Sequence, residues 1–382
     1  MSRPLPNAAD LLSRLVGCPS INPGSQAVSD QTGESRMADL LKDILHPWAD
    51  EIIISEVVPG RPNVIARFAG RDRSRCYAFE AHSDTVGING MTVDPFGARI
   101  ADGRLFGRGA CDTKGPMTAM LLALFRHLQR HGPPACDLLF VSTCDEELGG
   151  LGARRLAEEG LRCDGMIIGE PTNLRLIDRH KGAMRFRLTV RGRAAHSAYP
   201  EFGSNAIHAA ARFIRELEDS VAEHASTSEW PEPGPPTVSV GVIRGGDQVN
   251  RIPDEAVLEI DFRVPPGWRS FQVESILNEA GDTVRKAVPG AGLLLETTQH
   301  YPAFQLAADS PFRRKLEPLV SGADAWQSAR YATNAGFFAG DIPCVVFGPG
   351  SPGDAHTANE SIELAELETA VDRLAAFLDG LA

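Results

Sequence analysis

Several apolar segments of this sequence end in an imidazole or a carboxylate, and this pattern restricts the possible folds more than any other feature. The segments are residues 77–79, 137–143 and 164–169. The side chains that follow them include His82, Glu146, Glu147 and Glu170. Short apolar runs bounded by turn-forming residues are typical of buried strands. Because ligands bind at the carboxyl ends of strands in open α/β sheets, we expect a site there.

Helical patterns alternate with these strands in the first half of the sequence. Helical periodicity occurs at 8–17, 33–46 and 116–131, and further strands are predicted at 51–58 and 63–69. The alternation predicts an α/β layered domain.

The pattern changes after about residue 179 and returns near residue 300. Half-exposed strands and amphipathic helices are predicted between these points, at 183–192, 204–219, 237–245, 255–264 and 270–286. They indicate a compact α+β unit. We therefore predict a discontinuous catalytic domain, residues 1–179 and 299–382, with an inserted second domain at 180–298.

The composition excludes several classes of partner. Of the 382 residues, 43% are hydrophobic and 23% charged, which is typical of a soluble globular protein, and the formal net charge is −12. An acidic chain is a poor partner for nucleic acid or an anionic membrane. The first residues contain no charged segment followed by an apolar one. The seven cysteines form no Cys-x-x-Cys pair. These features predict reduced thiols and a cytoplasmic location.

Six polar side chains stand where an apolar segment or a glycine-rich turn ends: His82, Asp112, Glu146, Glu147, Glu170 and His356. Two imidazoles with several carboxylates suit Zn²⁺ and would also accept Co²⁺ or Mn²⁺. One carboxylate can bridge two metal ions about 3.5 Å apart, as in two-metal hydrolases. Neighbouring side chains on an extended chain diverge, so one of Glu146 and Glu147 is expected to bind metal while the other acts as a base.

Five short segments occur together in an order that is specific to one enzyme family. They are AHSDTV at 81–86, GRGACDTKG at 107–115, DEE at 145–147, GEPT at 169–172 and AHT at 355–357. In these segments the chain resembles the co-catalytic zinc aminoacylases and carboxypeptidases, which include acetylornithine deacetylase, succinyl-diaminopimelate desuccinylase and the glutamate carboxypeptidases. The resemblance implies a three-layer α/β catalytic domain with a central mixed sheet. It also implies an inserted α+β, ferredoxin-like domain that serves as dimerisation surface and lid.

The resemblance implies a metal-binding role for five residues. One zinc ion would be bound by His82 and Glu170. A second zinc ion would be bound by Glu147 and His356, and Asp112 would bridge the two.

Other residues are implied to act on the substrate. Asp84 would orient the first histidine ligand, and Glu146 would be the general base. His196, in the segment 192–197, would reach from the partner subunit to a tetrahedral oxyanion, so the active unit would be a homodimer that closes over its substrate. Asn250 and Arg263 would hold the substrate, because a guanidinium suits an α-carboxylate.

Within the family, the segments at 170–174, 180–182 and 348–350 look most like those of the acetylornithine deacetylases. The predicted reaction is therefore the hydrolysis of N2-acetyl-L-ornithine to L-ornithine and acetate, a step of arginine biosynthesis. A deacylase, desuccinylase, dipeptidase or carboxypeptidase acting on another N-acyl amino acid is the alternative. Asn334 departs from the acid expected in the deacetylases, which disfavours a cationic substrate side chain. A non-catalytic, metal-stabilised binding protein is the alternative from a different class.

One histidine pair resembles a metal motif but lacks part of it. His127 and His131 are spaced i, i+4 on a predicted helix, as in His-Glu-x-x-His zinc helices, yet Leu128 occupies the glutamate position. The pair is predicted to lie on a solvated helix face.

Overall fold

The computed structural model describes residues 5–227, 229–316, 319 and 326–381. The chain divides into two compact units. The first comprises Met1–Asp178, Gln305–Gln327 and Thr333–Ala382, and the second comprises Arg179–Phe304 and Ser328–Ala332.

The helices of the described residues are α1 (Ala8–Val16), α2 (Ser35–Leu45), α3 (Lys114–His131), α4 (Leu151–Glu158), α5 (Ala206–Ser226), α6 (Ser270–Ala287), α7 (Pro311–Leu316), α8 (Ala335–Phe338) and α9 (Leu364–Asp379). Asparagine side chains cap two of them. Asn7 accepts a hydrogen bond from Asp10 N at 2.7 Å, and Asn205 accepts one from His208 N at 3.0 Å. Each cap satisfies an amide of the first turn that has no partner within the helix.

The strands are β1 (Glu51–Val58), β2 (Arg61–Phe68), β3 (Asp72–His82), β4 (Arg99–Ala101), β5 (Arg104–Phe106), β6 (Cys136–Thr143), β7 (Gly165–Ile168), β8 (Leu176–His180), β9 (Gly182–Arg191), β10 (Ala195–His196), β11 (Thr237–Gly245), β12 (Arg251–Ile252), β13 (Glu255–Val264), β14 (Gly292–Tyr301), β15 (Phe304–Gln305), β16 (Trp326–Ala329), β17 (Cys344–Val346) and β18 (Ser361–Glu363). Among the described residues, no helix has the length and apolar character needed to cross a membrane.

A nine-stranded mixed sheet organises the first unit. Its strand order is β1-β2-β6-β3-β7-β17-β8-β15, and β16 pairs with β8. The central strands β6, β3, β7 and β17 are parallel, whereas β1, β2 and β8 run antiparallel to their neighbours. The predicted central mixed sheet is confirmed. Because β3, β6 and β7 are parallel, their carboxyl ends meet at one edge of the sheet.

The core of the first unit lies between this sheet and its longest helices. Tyr77, Phe79 and Ala81 alternate along β3 and share one hydrophobic cluster with Leu121 of α3 and Leu374 of α9. Their period of two places them on one face of the strand, and Ala78 and Glu80 on the other face are buried as well. Strand β6 is buried along nearly its whole length, as expected of a strand covered on both faces.

The second unit is a four-stranded antiparallel sheet with two helices. The strand order is β11-β13-β9-β14, and α5 packs against α6. Alternate residues of β9 and β13, including Phe186 and Ile260, pack against Phe213 of α5 and Ile276 of α6. The predicted α+β architecture is confirmed. Strand β14 pairs with β9 over its whole length, which keeps residues up to Phe304 in this unit.

Candidate metal centre

The candidate centre lies in the first unit, where three parallel strands end. His82 is the last residue of β3 and pairs in register with Thr143, the last residue of β6. The turn that follows β6 turns sharply at Asp145, whose φ is 66° and whose carbonyl accepts hydrogen bonds from two later amides. Strand β7 ends beside β3, where Gly169 N donates to the carbonyl of Glu80 at 2.7 Å. These connections bring the acidic turn 145–147 and Glu170 to the histidine.

His82 directs one ring nitrogen at two carboxylates. Its Nδ1 lies 3.0 Å from the carbonyl oxygen of Asp84, which can only accept, so Nδ1 carries a proton. Nε2 then faces Asp112 Oδ1 at 3.0 Å and Glu170 Oε1 at 3.9 Å. A bare ring nitrogen and two carboxylates repel one another unless a proton or a metal ion lies between them.

The second histidine meets the other oxygen of the same aspartate. Nε2 of His356 lies 3.2 Å from Asp112 Oδ2 and 3.0 Å from Glu147 Oε2. Asp112 thus presents one oxygen to each histidine. The described residues contain two three-residue groups that share Asp112, and within each group the ligand atoms lie within 4.8 Å of one another: His82, Asp112 and Glu170, and Asp112, Glu147 and His356.

Burial, mutual repulsion and hydrogen bonds shift the pKa values of several groups in this cluster away from their ordinary values. Burial raises the pKa of Glu147 to about 7 and that of Glu170 well above its ordinary value. Hydrogen bonds to Asp112 and Glu147 raise the pKa of His356 to about 11. Although burial opposes it, hydrogen bonding to Asp112 and Asp84 also raises the pKa of His82. The cluster therefore retains protons on groups that a bound cation would deprotonate, and its two imidazoles and three carboxylates fit divalent zinc, cobalt or manganese.

The adjacent residues Glu146 and Glu147 differ in their relation to the two ligand groups. Glu147 accepts a hydrogen bond from Val86 N at 3.1 Å and belongs to the second ligand group. Glu146 belongs to neither group, yet its side chain is partly buried and interacts electrostatically with His82, Glu147 and Asp112. Burial raises its pKa well above the ordinary value. A carboxyl with raised pKa next to a metal-binding cluster is a candidate for the general base.

Asp84 holds the acidic turn in place beneath the centre. Its carboxylate accepts hydrogen bonds from Glu146 N at 2.9 Å and from Glu147 N at 3.1 Å. Its Oδ1 also lies 3.6 Å from His82 Nδ1. Although burial opposes it, hydrogen bonding to His82 and Asn22 keeps the pKa of Asp84 below its ordinary value. The ionised carboxylate therefore connects the first histidine to both glutamates.

A buried polar network that sequence reasoning missed supports Asp84 from behind. Asn22 Nδ2 donates to Asp84 Oδ2 at 2.8 Å and to Asp145 Oδ1 at 2.9 Å. Arg61 then bridges Asp145 and Glu34, with a distance of 2.6 Å to each. The partners are 27 to 123 residues apart in sequence, so no local motif marks them.

The loop that carries Asp112 has its own support, which was also missed. The carboxylate of Glu360 accepts hydrogen bonds from Cys111 N and Asp112 N, both at 3.0 Å. Arg108 donates to the same carboxylate at 2.6 Å. The position of Glu360 four residues after His356 is the one signal in the sequence that relates it to the centre.

Asn334 does not have the accessibility that a substrate contact requires. Its side chain is fully buried, and Nδ2 donates to Glu80 Oε1 and to Thr143 Oγ1, both at 3.0 Å. Asn334 therefore carries no information about the charge of the substrate side chain, contrary to the expectation from sequence.

The three remaining candidates lie in the second unit. His196 is exposed, and its Nδ1 accepts a hydrogen bond from Ala198 N at 3.1 Å, so Nε2 of the neutral ring carries the proton. The carbonyl of Asn250 accepts from Ser197 N at 3.0 Å, next to this histidine. Arg263 donates from Nε to Asp261 at 2.7 Å. Their roles towards a substrate stay predictions.

Comparison with known proteins shows where this chain belongs. The family model described as Peptidase family M20/M25/M40 matches residues 78–380. The acetylornithine deacetylase of Photorhabdus laumondii is 32% identical over 377 residues, which cover 96% of this chain and 94% of that protein.

Solved structures of low identity share the fold. A tripeptidase from Staphylococcus aureus has a TM-score of 0.80 at 20% identity and covers 97% of both chains. A Bacillus subtilis protein described as a dinuclear metal binding peptidase from M20 family has a TM-score of 0.73 at 17% identity, covering 97% of this chain and 96% of that one.

Proposed function

Because this chain belongs to peptidase family M20/M25/M40 and is a metal-dependent hydrolase, we propose that it is a dizinc amidohydrolase that removes an N-acyl group from an amino acid. The proposed substrate is N2-acetyl-L-ornithine, which would yield L-ornithine and acetate. The observation that carries the proposal is the pair of ligand groups that share Asp112, with the partly buried Glu146 near them. The substrate is supported by the name of the relative that is 32% identical.

The metal ligands of the proposal follow the two groups. His82 and Glu170 would hold one zinc ion, Glu147 and His356 would hold the other, and Asp112, which lies within reach of both histidines, would be shared by the two. Co²⁺ or Mn²⁺ can replace zinc, because the ligands are imidazoles and carboxylates only. Metal ions in these positions would act as Lewis acids towards an amide carbonyl and would make a water molecule acidic near neutral pH.

Glu146 moves the proton in the proposed reaction. Its carboxylate takes a proton from the attacking water and delivers it to the nitrogen of the leaving amine. A base is most effective when its pKa lies near the working pH, and burial gives Glu146 the required upward shift from its ordinary value. Hydrogen bonds from its amide and that of Glu147 to Asp84 fix the backbone of this turn.

The proposed partner of the oxyanion is His196. The hydrogen bond from Ala198 to Nδ1 fixes the tautomer that offers Nε2–H as a donor. A donor aimed at a developing oxyanion stabilises the transition state more than the substrate. In the proposed homodimer this histidine comes from the partner subunit, through the inserted domain, and Asn250 and Arg263 hold the substrate. We place the enzyme in the cytoplasm.

Two alternatives remain distinguishable by experiment. A dipeptidase, desuccinylase or carboxypeptidase would use the same centre with a different substrate. A non-catalytic binding protein would have no use for the base at 146 and the shared aspartate at 112, and both are present.

The test is a comparison of kcat/KM for the zinc-loaded protein on N-acetyl-L-ornithine, other N-acetyl, N-formyl and N-succinyl amino acids, and dipeptides, each with a chelator control. We expect the highest value on N-acetyl-L-ornithine and its loss with chelator. A higher value on another amide would move the proposal to that substrate. Absence of turnover on every amide would refute it.

A further inference from the structure

A separate cluster of metal-binding side chains lies where α3 and α9 end. His127 and His131 of α3 and Asp379 of α9 each place one ligand atom within 4.8 Å of the others. Helix α3 begins at Lys114, two residues after Asp112. Since an α-helix rises about 1.5 Å per residue, the cluster lies roughly 20 Å or more from the candidate metal centre along this helix.

One nitrogen of each imidazole ring lies near the same carboxylate oxygen. Asp379 Oδ1 lies 2.7 Å from His127 Nδ1 and 3.2 Å from His131 Nε2, and the centres of the two rings are 5.0 Å apart. Ligand atoms about 2.0–2.2 Å from one zinc ion are roughly 3.3 Å from one another in a tetrahedral arrangement. Small side-chain rotations are therefore sufficient to seat a metal ion among the three. The prediction that this pair lies on a solvated helix face is wrong for His127, because Asp379 and the packing of α9 cover it.

The ends of the two helices favour a positive charge at this place. His131 is the last residue of α3, and Asp379 is the last residue of α9. The last turn of α9 contains no basic residue. A carboxylate at the carboxyl end of a helix is repelled by the partial negative charge of the terminal carbonyls, whereas a cation is attracted. A cation shared by these side chains offsets that repulsion.

The burial of the cluster suits an ion that enters from solvent. His127 is only 4% exposed, so packing fixes its ring. The side chains of His131 and Asp379 are 50% and 36% exposed, so the third side of the cluster is open. One ligand is thus held in place while the other two can adjust to the ion.

We propose that His127, His131 and Asp379 bind a divalent transition-metal ion, of the zinc, cobalt, nickel or copper type, at a peripheral site that links α3 to α9. Two imidazoles and one carboxylate favour such ions over magnesium and calcium, which prefer oxygen ligands. Three protein ligands leave at least one position for water. Because the ion binds only when the two helix ends are together, it stabilises the folded state.

The test measures metal content in untagged protein dialysed against zinc, for the wild type, His131→Asn and the control His46→Asn. His46 is an exposed histidine at the end of α2. We expect His131→Asn to bind one zinc ion fewer per chain than the wild type and His46→Asn to bind the same number. Since the result is a difference, it does not depend on how many ions the candidate metal centre holds.

Thermal unfolding provides the second readout. With chelator, wild type and His131→Asn should unfold at the same temperature, because residue 131 is half exposed. With zinc, the unfolding temperature of the wild type should rise more than that of the variant. The value of kcat/KM should be the same for both. Equal metal content and an equal zinc effect in the two proteins would overturn the proposal and leave a hydrogen-bonded cluster. Loss of one zinc ion in His46→Asn as well would show non-specific surface binding and would also overturn it.

Discussion

The candidate metal centre of the first unit and the candidate substrate residues of the second differ in how firmly they are held. His82 and Asp84 are each 1% exposed and are fixed by several buried partners. His196 is exposed, and Arg263 donates a hydrogen bond to Asp261, two residues away. His356 is 51% exposed, but its contacts with Asp112 and Glu147 tie it to the buried ligands. A mutually bonded cluster of this kind reveals its chemistry without a ligand. Exposed residues acquire theirs only when a substrate or a partner subunit meets them.

The largest expected effect is on the base of the candidate metal centre. In Glu146→Gln, turnover should fall by a factor of about 10² to 10⁴, because a general base contributes that much. Metal content should stay at the wild-type value, since Glu146 belongs to neither ligand group. Measurement of metal content and kcat on the same sample tests this prediction. Parallel loss of metal and activity would make Glu146 a ligand.

The corresponding variant of the second unit is His196→Asn. Loss of one oxyanion donor costs roughly 10² to 10³ in kcat. We expect kcat to fall by this amount while KM, metal content and thermal stability stay near wild type. His224→Asn, in the helix α5 of the same unit, is the matched control. Undiminished activity in His196→Asn would remove this residue from the mechanism.

Metal removal should make stability depend on pH in the first unit alone. Burial raises the pKa of Glu147 from its ordinary 4.5 to about 7. The neutral carboxyl therefore makes its full contribution to the free energy of unfolding below about pH 4.5. This contribution is lost as the pH rises through about 7. The loss is at most about 3 kcal/mol. Urea unfolding at several pH values, with chelator and with zinc, measures it.

Bound zinc keeps this carboxylate ionised, so the zinc-loaded protein should not show the same loss. Glu147→Gln should reduce the pH dependence of the chelated protein but not abolish it, because burial also raises the pKa of Glu146 and of Glu170. Hydrogen exchange of β9 and β13, in the second unit, should be unaffected by chelator. Faster exchange in these strands would contradict the separation of the two regions.

Whether a residue of the site could be predicted from the sequence depended on how far its partners lie along the chain. Ligands such as His82 and Glu170 each follow an apolar strand, so local patterns were sufficient to find them. The parallel central sheet explains why these strand ends meet. Asn22 and Arg61 were missed because their partners are far along the chain and nothing local distinguishes them from surface residues. The contact of His127 with Asp379, 252 residues away, was missed for the same reason.

Burial could not be predicted where only side-chain packing decides it. The sequence predicted that residue 334 bears on the charge of the substrate side chain, yet Asn334 is buried and donates a hydrogen bond to Glu80. Strand β14 was not predicted, because its alternating residues face a partly exposed edge of the second sheet.

The network behind Asp84 should have a smaller effect than the ligands themselves. In Asn22→Leu, Asp84 and Asp145 each lose a hydrogen bond, so the turn that carries both glutamates loses support. Loss of such outer partners typically lowers metal affinity 10- to 100-fold. Competition with a zinc chelator measures the affinity, and excess zinc should restore most of the activity. Unchanged affinity would mean that Asn22 serves the fold only.

The smallest effect expected is on substrate affinity in the second unit. Arg263→Lys keeps the charge but loses the planar fork, so KM should rise about tenfold with little change in kcat. Arg185→Lys is a matched control, because Arg185 also pairs with Asp261, at 3.1 Å. Equal effects of the two variants would show that only the ion pair at Asp261 matters.

The central claim is that two metal ions share Asp112 in a hydrolytic centre. Its most direct test is a zinc titration of chelated His131→Asn protein, which lacks the peripheral site, while hydrolysis of N-acetyl amino acids is followed. We predict no turnover without metal, a rise that ends at two zinc ions per chain, and no restoration in the same protein with Asp112→Asn. Full turnover without metal, or with residue 112 changed, would contradict the account.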